Sequence, residues 1–298
     1  MTATLPFYFI DVFAERPLTG NPLALVTRAD DLDESAMKLV AREFNQSETT
    51  FLSSATRPEA TWRLRSFTPS GSEVVGAGHN ALGAWWWLAS EGQLPLAHGA
   101  GTFAQELGGR VLPVEVLADE CGQPTGIVMD QAPLSLGATV RKPGPLAAAL
   151  GLSQADLGRD IPPQVVDTGA AHLLVLVTDR AVVDRAAPDA PALRAQLERV
   201  GAQGCYLYSL DPLDEQAVAY TRFFNPTVGI REDPATGSAA GPLAGLLVAE
   251  GVVPDDATMS IEQGHALGRP SVIRVTVHRE QIRLGGAALV VAEGTLRI

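Results

Sequence analysis

Two related stretches of this chain determine its predicted fold. The first, Arg65–Gly92, reads RSFTPSGSEVVGAGHNALGAWWWLASEG, and the second, Arg222–Gly251, reads RFFNPTVGIREDPATGSAAGPLAGLLVAEG. Each begins Arg-x-Phe-x-Pro, passes through a polar loop that contains glycine, enters an apolar run and ends in Glu-Gly. Self-similarity of this kind indicates a duplicated structural unit. The repeat therefore predicts two similar lobes, with two similar loops that could face each other across a cleft.

Each copy of the repeat has the pattern of a strand, a loop and a buried helix. The loop ends in a glycine followed by a polar residue, His79 in the first copy and Ser238 in the second. Ser238 is a good residue for a helix N-cap and His79 is a poorer one. The runs Ala81–Ala89 and Ala239–Ala249 are apolar on nearly every face, and such helices are normally buried. Pro242 falls near the first turn, where its missing N–H is best tolerated. We expect one central helix in each lobe.

The two helix starts are candidate anion sites. The first turn of a helix exposes unpaired N–H groups and a partial positive charge, which together favour a bound anion. The glycines before His79 and Ser238 would let the backbone approach a ligand closely. The alternative is that both glycines only serve tight turns, which is the more common use of the residue.

Composition and charge restrict the class of protein. The chain has 298 residues, of which 46% are hydrophobic and 19% charged, with a formal net charge of −12. That charge disfavours binding to nucleic acid through phosphate neutralisation. The sequence contains no apolar run long enough to span a bilayer and does not begin with the pattern of a secretory signal. We expect a cytoplasmic protein of two lobes that acts on a small molecule, with neither a membrane nor a nucleic acid as partner.

Cysteine and histidine are too sparse and too scattered to indicate a metal site. Cys121 and Cys205 provide neither a disulfide framework nor metal-ligand spacing. No pair of histidines has the His-x-x-x-His spacing of a zinc-binding helix; the five are His79, His98, His172, His265 and His278. We therefore predict no metal.

Hydrophobic periodicity and turn residues predict the remaining elements. A helix is expected over 34–44, ending near Asn45, and a Pro- and Gly-rich stretch at 133–145 is the best candidate lobe boundary. The other predictions are a helix at about 191–200 and strands at 8–13, 23–26, 49–52, 62–67, 126–130, 172–177, 217–224, 271–277, 281–284, 287–292 and 295–298.

Several motifs, in order along nearly the whole chain, resemble those of the phenazine-biosynthesis PhzF-like family. They are DVF (11–13), GNP (20–22), SETTF (47–51), FTP (67–69), GAGH (76–79), EDPATGSAAGP (232–242), QG (263–264) and GRPS (268–271). The resemblance implies the diaminopimelate epimerase-like fold. That fold is of the α+β class, with two pseudo-symmetric lobes, each a curved, mostly antiparallel or mixed sheet wrapped around a central buried helix. It also implies that the final strand returns to the first lobe, so that residues 1–130 and 288–298 form one lobe and 131–287 the other. A homodimer is a further implication.

The resemblance implies proton transfer without a cofactor. Epimerases of this fold use two cysteines at the helix starts, but neither loop of this chain contains Cys. A two-thiol racemase is therefore disfavoured. Isomerases of the family use a glutamate in the Ser-Glu-Thr motif, which falls on Glu48. One carboxyl group can take a proton from one carbon and return it to another, provided that partial burial raises its pKa towards neutrality.

The remaining site residues follow from the same resemblance and from the helix starts. His79 is expected to have a lowered pKa at its helix start and to act as a neutral partner or proton relay, and Asp233 to orient His79 or a substrate polar group. The catalytic candidates are thus Glu48, His79 and Asp233. The substrate-binding candidates are Asn21, Ser47, Gly78, His79, Asn80, Thr236, Gly237, Ser238 and Ala239.

Each of these assignments has a plainer alternative. For Glu48 the plainer interpretation is a solvated surface residue, and for Asp233 it is a residue that only caps the turn before Pro234. His172 is more often a structural histidine than a ligand group, although it lies near the pseudo-symmetric position of Asn21. Arg65 and Arg222 recur in the repeat, but strand arginines that pair with carboxylates are common, so we leave them out of the catalytic set.

The sequence does not identify the substrate. The phenazine-pathway enzyme of the family isomerises trans-2,3-dihydro-3-hydroxyanthranilate, but this chain has Asn80 where that enzyme has proline after the histidine. The motifs favour an isomerase of a small carboxylic acid. The alternatives are a non-catalytic binding or interaction protein with the same fold, and a one-base amino-acid racemase or epimerase.

Overall fold

β-Strands form most of the regular structure, and the few helices place the fold in the predicted α+β class. The computed structural model describes residues 4–96 and 99–298, so that His98 lies outside the described residues. The chain divides into two compact units. One consists of the residues up to Met129 together with Gly285–Ile298, and the other is Asp130–Leu284.

The strands are numbered here in chain order. They are β1 (Thr4–Val12), β2 (Asn21–Val26), β3 (Thr49–Ser54), β4 (Trp62–Phe67), β5 (Glu73–Val74), β6 (Ala100–Leu107), β7 (Arg110–Ala118), β8 (Pro124–Asp130), β9 (Ser135–Thr139), β10 (Gln164–Asp167), β11 (Ala171–Leu176), β12 (Gly204–Ser209), β13 (Ala217–Asn225), β14 (Ile230–Asp233), β15 (Thr258–Gln263), β16 (Ser271–His278), β17 (Gln281–Gly286) and β18 (Ala288–Arg297).

The helices are numbered in the same way. They are α1 (Glu34–Phe44), α2 (His79–Ser90), α3 (Gly144–Ala149), α4 (Arg180–Arg185), α5 (Ala190–Val200) and α6 (Gly237–Ala249), with short 3₁₀ helices at Gln154–Asp156, Pro226–Val228 and His265–Leu267. Across the described residues, no helix has the length and apolar character that crossing a membrane requires.

The sheet of the first unit is mixed. β1 lies between β2 and β18 and runs antiparallel to both. β2 and β3 are parallel, β3 and β4 are antiparallel, and β4 is parallel to β6. β6, β7 and β8 continue as antiparallel neighbours. The pairing of β1 with β18 brings the last strand of the chain into the unit that contains the first.

The sheet of the second unit repeats the central part of that pattern. β10 pairs antiparallel with β11, β11 is parallel to β12, β12 is antiparallel to β13, and β13 is parallel to β15. β15 and β16 are antiparallel, and β9 adds to the far side of β10. The order β11, β12, β13, β15 thus corresponds to β2, β3, β4, β6.

A buried helix packs on the sheet of each unit. Ten residues of α2 and ten of α6 are buried. α2 contacts β1, β2, β3, β7 and β18, and α6 contacts β10, β11 and β16. Gly83 permits the close approach of α2, because a Cβ at that position would lie 2.6 Å from Leu23 Cδ2 and 2.9 Å from Val12 Cγ2. The Trp85–Trp87 cluster belongs to this core, with Trp85 fully buried and its Nε1 donating to Gln105 Oε1 at 3.0 Å.

The duplication extends to an arginine–glutamate pair in each unit. Arg65 Nε and Nη2 donate to the two carboxylate oxygens of Glu73 at 2.7 and 2.8 Å. Arg222 Nε and Nη2 donate to Glu232 at 2.8 and 2.7 Å. In both units the guanidinium lies 4.9 Å from the ring of the phenylalanine two residues later. These bidentate pairs bind β4 to β5 and β13 to β14, and they give the two arginines a structural role.

Two details of the predicted elements are wrong. The sequence predicts a break between residues 292 and 295, but β18 is a single strand whose bulge, opposite Phe9 and Ile10 of β1, absorbs the irregular pattern. Pro242 is the sixth residue of α6 and lies beyond the first turn. Since proline lacks an N–H, the helix does not donate to the carbonyl of Ser238, four residues earlier.

Candidate active site

Glu48 lies in the short connection between α1 and β3. The helix ends where Asn45 adopts a left-handed conformation (φ 50°), with its N–H bonded to the carbonyl of Ala41 at 3.1 Å. Asparagine tolerates this conformation better than most residues. Glu48 follows three residues later, half-buried, with its Oε2 atom buried. The helix cap therefore fixes the point at which the Ser-Glu-Thr motif enters the sheet.

Ser47 joins Asn21 to His79. Its Oγ donates to Asn21 Oδ1 at 3.3 Å and lies 3.3 Å from Nε2 of His79. A hydroxyl group has a single proton to donate. Because Ser47 gives that proton to Asn21, it accepts from His79, and the imidazole carries its proton on Nε2. Three predicted site residues thus form one hydrogen-bonded group, and Glu48 follows Ser47 directly in the sequence.

His79 is neutral near pH 7. The residue is buried, and burial lowers its pKa to about 4. The sequence predicts a lowered pKa because of the helix start, whereas the cause in the structure is desolvation of the charged ring. With its proton on Nε2, the ring presents the Nδ1 lone pair as an acceptor.

The start of α2 is held by Asn80 rather than by a side chain at the N-cap. The N-cap is Gly78, and His79 is the first helical residue. Asn80 Oδ1 accepts from the N–H of Gly78 at 2.7 Å, and its Nδ2 donates to the carbonyl of Gly76 at 3.0 Å and to Ser66 Oγ at 3.2 Å. The N–H of Gly78, a predicted donor to substrate, is therefore used inside the protein. The N–H groups of His79 and Asn80 lie in the first turn, where a helix supplies no acceptor.

In the second unit, Asp233, Thr236 and Gln263 form a network that precedes α6. Thr236 Oγ1 donates to the carboxylate of Asp233. Gln263 Oε1 accepts from the Thr236 N–H at 3.1 Å, and Gln263 Nε2 donates to Thr236 Oγ1 at 3.0 Å and to the Asp233 carbonyl at 2.7 Å. Asp233 thus holds the loop before the helix, in line with the plainer of its two interpretations, while its carboxylate remains a candidate for contact with substrate.

Ser238 is not the N-cap that the sequence predicts. The N-cap is Thr236, and Ser238 is the second helical residue. Its Oγ lies 3.1 Å from Nε2 of His172. The N–H of Ala239, another predicted donor, bonds to the Thr236 carbonyl at 3.0 Å. The first-turn N–H groups of Gly237 and Ser238, with the Ser238 hydroxyl, are the polar groups that this helix start offers.

The structure gathers the predicted residues into two groups, one in each unit. The first group contains Asn21, Ser47, Glu48, Gly78, His79 and Asn80, and the second contains Asp233, Thr236, Gly237, Ser238 and Ala239. Within residues 4–96 and 99–298, no three His, Cys, Asp or Glu side chains are arranged to hold a metal ion.

Sequence reasoning assigned no role to Gln131 or Gln263, and both hold the start of α6. Gln131 Nε2 donates to the carbonyl of Gly237 at 2.9 Å, and its Oε1 accepts from Thr168 Oγ1 at 2.7 Å. A signal for Gln263 existed in the QG motif at 263–264. No sequence signal pointed to Gln131, because it follows a strand and no motif surrounds it.

Comparison with known proteins gives a consistent family. The sequence model of the family described as phenazine biosynthesis-like protein matches residues 10–294. An uncharacterized isomerase of Clostridium acetobutylicum is 30% identical over 97% of this chain and 97% of its own length. The trans-2,3-dihydro-3-hydroxyanthranilate isomerase of Pseudomonas aeruginosa is 33% identical over 89% of this chain and 87% of its own length. A PhzF-family phenazine biosynthesis protein of Bacillus anthracis has a structure that superposes with a TM-score of 0.89, at 26% identity over 99% of this chain and 100% of that one.

The two helix starts, the Ser-Glu-Thr connection and the α+β fold thus belong to an isomerase. The chain is a member of the PhzF-like family.

Proposed function

We propose that this protein isomerises a small carboxylic acid by moving a proton between two carbon atoms, with Glu48 as the single acid and base. The observation that carries the proposal is the position of Glu48 beside Ser47, whose hydroxyl joins Asn21 and His79 at the start of a buried helix. In the proposed step the Glu48 carboxylate takes a proton from one carbon as the double bond moves. The carboxyl group then returns a proton to another carbon, so that the substrate is rearranged without net oxidation or reduction.

Burial and fixed geometry suit Glu48 to this exchange. Its carboxylate is half-buried at the end of a rigid connection, between a capped helix and a strand. A base that is held in place and partly shielded from water loses little free energy to reorganisation when the proton moves. In this scheme the Glu48 side chain carries out both proton transfers.

The helix starts supply donors for the substrate carboxylate. We propose that the N–H groups of His79 and Asn80 bind its oxygens. In the second unit, the N–H groups of Gly237 and Ser238 are the equivalent donors to a carboxylate. As the allylic charge spreads onto the carboxylate, such fixed donors stabilise it more than they stabilise the ground state. The Nδ1 lone pair of neutral His79 is suited to accept from a substrate amino or hydroxyl group.

The first test is solvent deuterium incorporation followed by NMR. The protein is incubated in D₂O with trans-2,3-dihydro-3-hydroxyanthranilate, the substrate that the Pseudomonas aeruginosa relative is named for, and with a panel of cyclic and amino carboxylic acids. We expect the NMR signals of a rearranged product, with deuterium at its new C–H position to the extent that Glu48 exchanges its proton with solvent between the two transfers. Glu48→Gln should abolish incorporation, and Glu43→Gln, an exposed glutamate on α1, is the matched control.

The outcomes separate the alternatives. Deuterium at a single Cα of an amino acid would identify a one-base racemase. Thermal stabilisation by a carboxylate in both wild type and Glu48→Gln, with neither a rearranged product nor deuterium incorporation in either, would identify a binding protein. Full activity of Glu48→Gln would refute the assignment of the base.

We also propose that the protein is a homodimer, as the family resemblance implies. Sedimentation velocity at micromolar concentration measures this directly, and a single species of about 31 kDa, the mass of one chain, would contradict it.

A further inference from the structure

His172 makes an unusual contact in the second unit. It is the second residue of β11 and is 2% exposed. Its Nε2 lies 3.1 Å from Ser238 Oγ, and its ring packs edge-to-face on Phe223 with the ring centres 5.0 Å apart. Its other nitrogen, Nδ1, is buried and has no hydrogen-bond partner among the described residues. The two ring nitrogens thus have very different surroundings.

This asymmetry selects the tautomer. A neutral imidazole carries one N–H and one lone pair. With the proton on Nδ1, a buried donor would have no acceptor, which is rarer and more costly than a buried acceptor without a donor. With the proton on Nε2, the N–H donates to Ser238 Oγ and only the Nδ1 lone pair is left over. The contacts therefore favour the Nε2–H form.

The tautomer decides what Ser238 can do. When its oxygen accepts from His172, the hydroxyl must direct its own proton to another acceptor. Ser238 lies in the first turn of α6, next to the N–H groups that we assign to a carboxylate. The hydroxyl proton is then a further donor at the place where a negative oxygen would bind.

The same contact exists in the first unit with the partners exchanged. His79 and Ser238 hold equivalent places in the repeat. In the first unit the helix residue is the histidine, whose Nε2 lies 3.3 Å from Ser47 Oγ. In the second the helix residue is the serine, whose Oγ lies 3.1 Å from His172 Nε2. In each unit, a contact between a histidine Nε2 and a serine Oγ joins the helix start to the sheet. The residue on the sheet side is Ser47, just before β3, in the first unit and His172 of β11 in the second.

Strand register shows how room for His172 arises. Thr49 pairs with Phe67, and Cys205 pairs with Phe224 in the matching ladder. The residue before each, Glu48 and Gly204, therefore occupies the same place in the two units. A Cβ at Gly204 would lie 3.3 Å from His172 Nδ1 and 2.4 Å from Phe223 Cζ. The second unit has no side chain at the position that corresponds to the acid, and the rings of His172 and Phe223 pack there.

We propose that His172 is a positioning residue, which holds Ser238 Oγ as an acceptor so that the serine hydroxyl donates its proton to an oxygen of the bound carboxylate. The inference rests on the proposed function for the presence of a carboxylate at this helix start. In the second unit, this arrangement would supply a neutral hydroxyl donor beside the first-turn N–H groups of α6.

The tautomer is tested without any substrate. A long-range ¹H–¹⁵N correlation spectrum of ¹⁵N-labelled protein at pH 7 separates protonated from unprotonated ring nitrogens, and the signals that His172→Gln removes belong to His172. We expect a protonated Nε2 and an unprotonated Nδ1. A protonated Nδ1, alone or together with Nε2, would overturn the proposal.

The donor role is tested with anthranilate as the probe, by calorimetric titration of the wild type and the variants. Ser238→Ala and His172→Phe, which keeps a ring but removes the donor, should each weaken binding by about 10- to 100-fold, the loss of one hydrogen bond to a charged group. The double variant should be no weaker than either single one. His172→Gln, whose amide can still donate to the serine, should recover much of the affinity.

The other results are also decisive. Independent, additive losses, or a His172→Phe protein that binds like wild type, would overturn the coupling. Absence of anthranilate binding to the wild type would remove the carboxylate from this site. If binding is intact and coupled while deuterium exchange is absent, the reaction assigned to Glu48 fails and the positioning role stands. Should His172→Phe not fold, the wild-type tautomer and the Ser238→Ala affinity still decide.

Discussion

Replacing Glu232 by Gln should destabilise the protein much more than replacing Glu73 by Gln, although the two carboxylates hold equivalent places in the repeat. Their arginine contacts are alike in geometry but differ in burial. The Arg222 and Glu232 side chains are each 10% exposed, whereas Arg65 is 17% and Glu73 34% exposed. Arg65 also keeps a second carboxylate, Glu34, at 2.8 Å. The repeat therefore provides an internal control for the effect of burial.

The magnitude follows from what each variant leaves behind. In Glu232→Gln, the Arg222 charge stays buried with three carbonyl oxygens on Nη1, those of Val183, Asp184 and Ala186 at 3.0, 3.1 and 2.9 Å. Removing one partner of a buried pair costs about 3–5 kcal/mol. An amide can still accept one N–H, so we expect a loss of about 3 kcal/mol.

The loss at Glu73 should be smaller, because its arginine stays paired and its own side chain is reached by water. Exposed pairs contribute about 0–1 kcal/mol. The assay is urea denaturation followed by circular dichroism at pH 7, with the slope compared between variants so that changes in the unfolded state are recognised. Equal losses at the two positions, within about 0.5 kcal/mol of each other, would refute the argument from burial. Arg222→Met with Glu232→Met should recover part of the loss, since no charge then stays buried, although the three carbonyl oxygens lose the donor that Arg222 supplied.

Three further effects are expected. Burial lowers the pKa of His79 and of His172 to about 4, so below about pH 6.5 the unfolded state binds more protons than the folded state. Each histidine should therefore remove up to about 3 kcal/mol of stability as pH falls from 6.5 towards 4. Denaturant midpoints at a series of pH values measure this loss. Gly204→Ala should cost about 1–3 kcal/mol, because its Cβ would meet the Phe223 ring at 2.4 Å, and calorimetric melting measures the loss. Asn80→Ala should cost about 1 kcal/mol through loss of the side chain that closes the start of α2, read from the same melting experiment.

Each of these has a control or a contradicting result. His79→Gln and His172→Gln should each flatten the fall in stability below pH 6.5, and unchanged slopes would exclude burial of the two rings as its cause. Gly126→Ala is matched to Gly204→Ala, because its Cβ would have only an ordinary contact with Leu117 at 3.4 Å. An Asn80→Ala protein that melts with the wild type would show that the hydrogen bonds of Asn80 do not stabilise the helix start.

Local patterns were sufficient to predict the elements that carry the site. The bounds 34–44 of α1 and 62–67 of β4 agree with the structure, because an apolar stripe and an alternating strand pattern are both local signals. The buried helices α2 and α6 followed from runs that are apolar on every face. The family and the α+β class were predicted from motifs along the whole chain, and both are correct.

The side-chain network could not be predicted in the same way. The Ser238–His172 contact joins residues that are 66 positions apart, and neither has a motif that points to the other. Ser238 was wrongly predicted as an N-cap because it is a favoured residue type there, but Thr236, which precedes the glycine, takes that position. The N–H groups of Gly78 and Ala239 were predicted to donate to a substrate, but each bonds to an acceptor inside the protein. Those acceptors depend on how each loop folds, which the sequence does not show.

The catalytic roles of Glu48, His79 and Asp233 stay predictions. The structure adds the protonation state of His79 and the loop contacts of Asp233, neither of which the sequence determines.

The pairing of β1 with β18 has a consequence for the order of folding during synthesis. The second unit is one continuous run, Asp130–Leu284, so all of it has been synthesised before β18 is made. The first unit needs Gly285–Ile298, and in particular the antiparallel ladder from Thr4 to Val12 against β18. β1 therefore has β2 as a neighbour but an open second edge until β18 has been synthesised. In a circularly permuted chain that begins at Gly285, with Ile298 linked to the segment that contains β1, the first unit would instead be synthesised completely before the second.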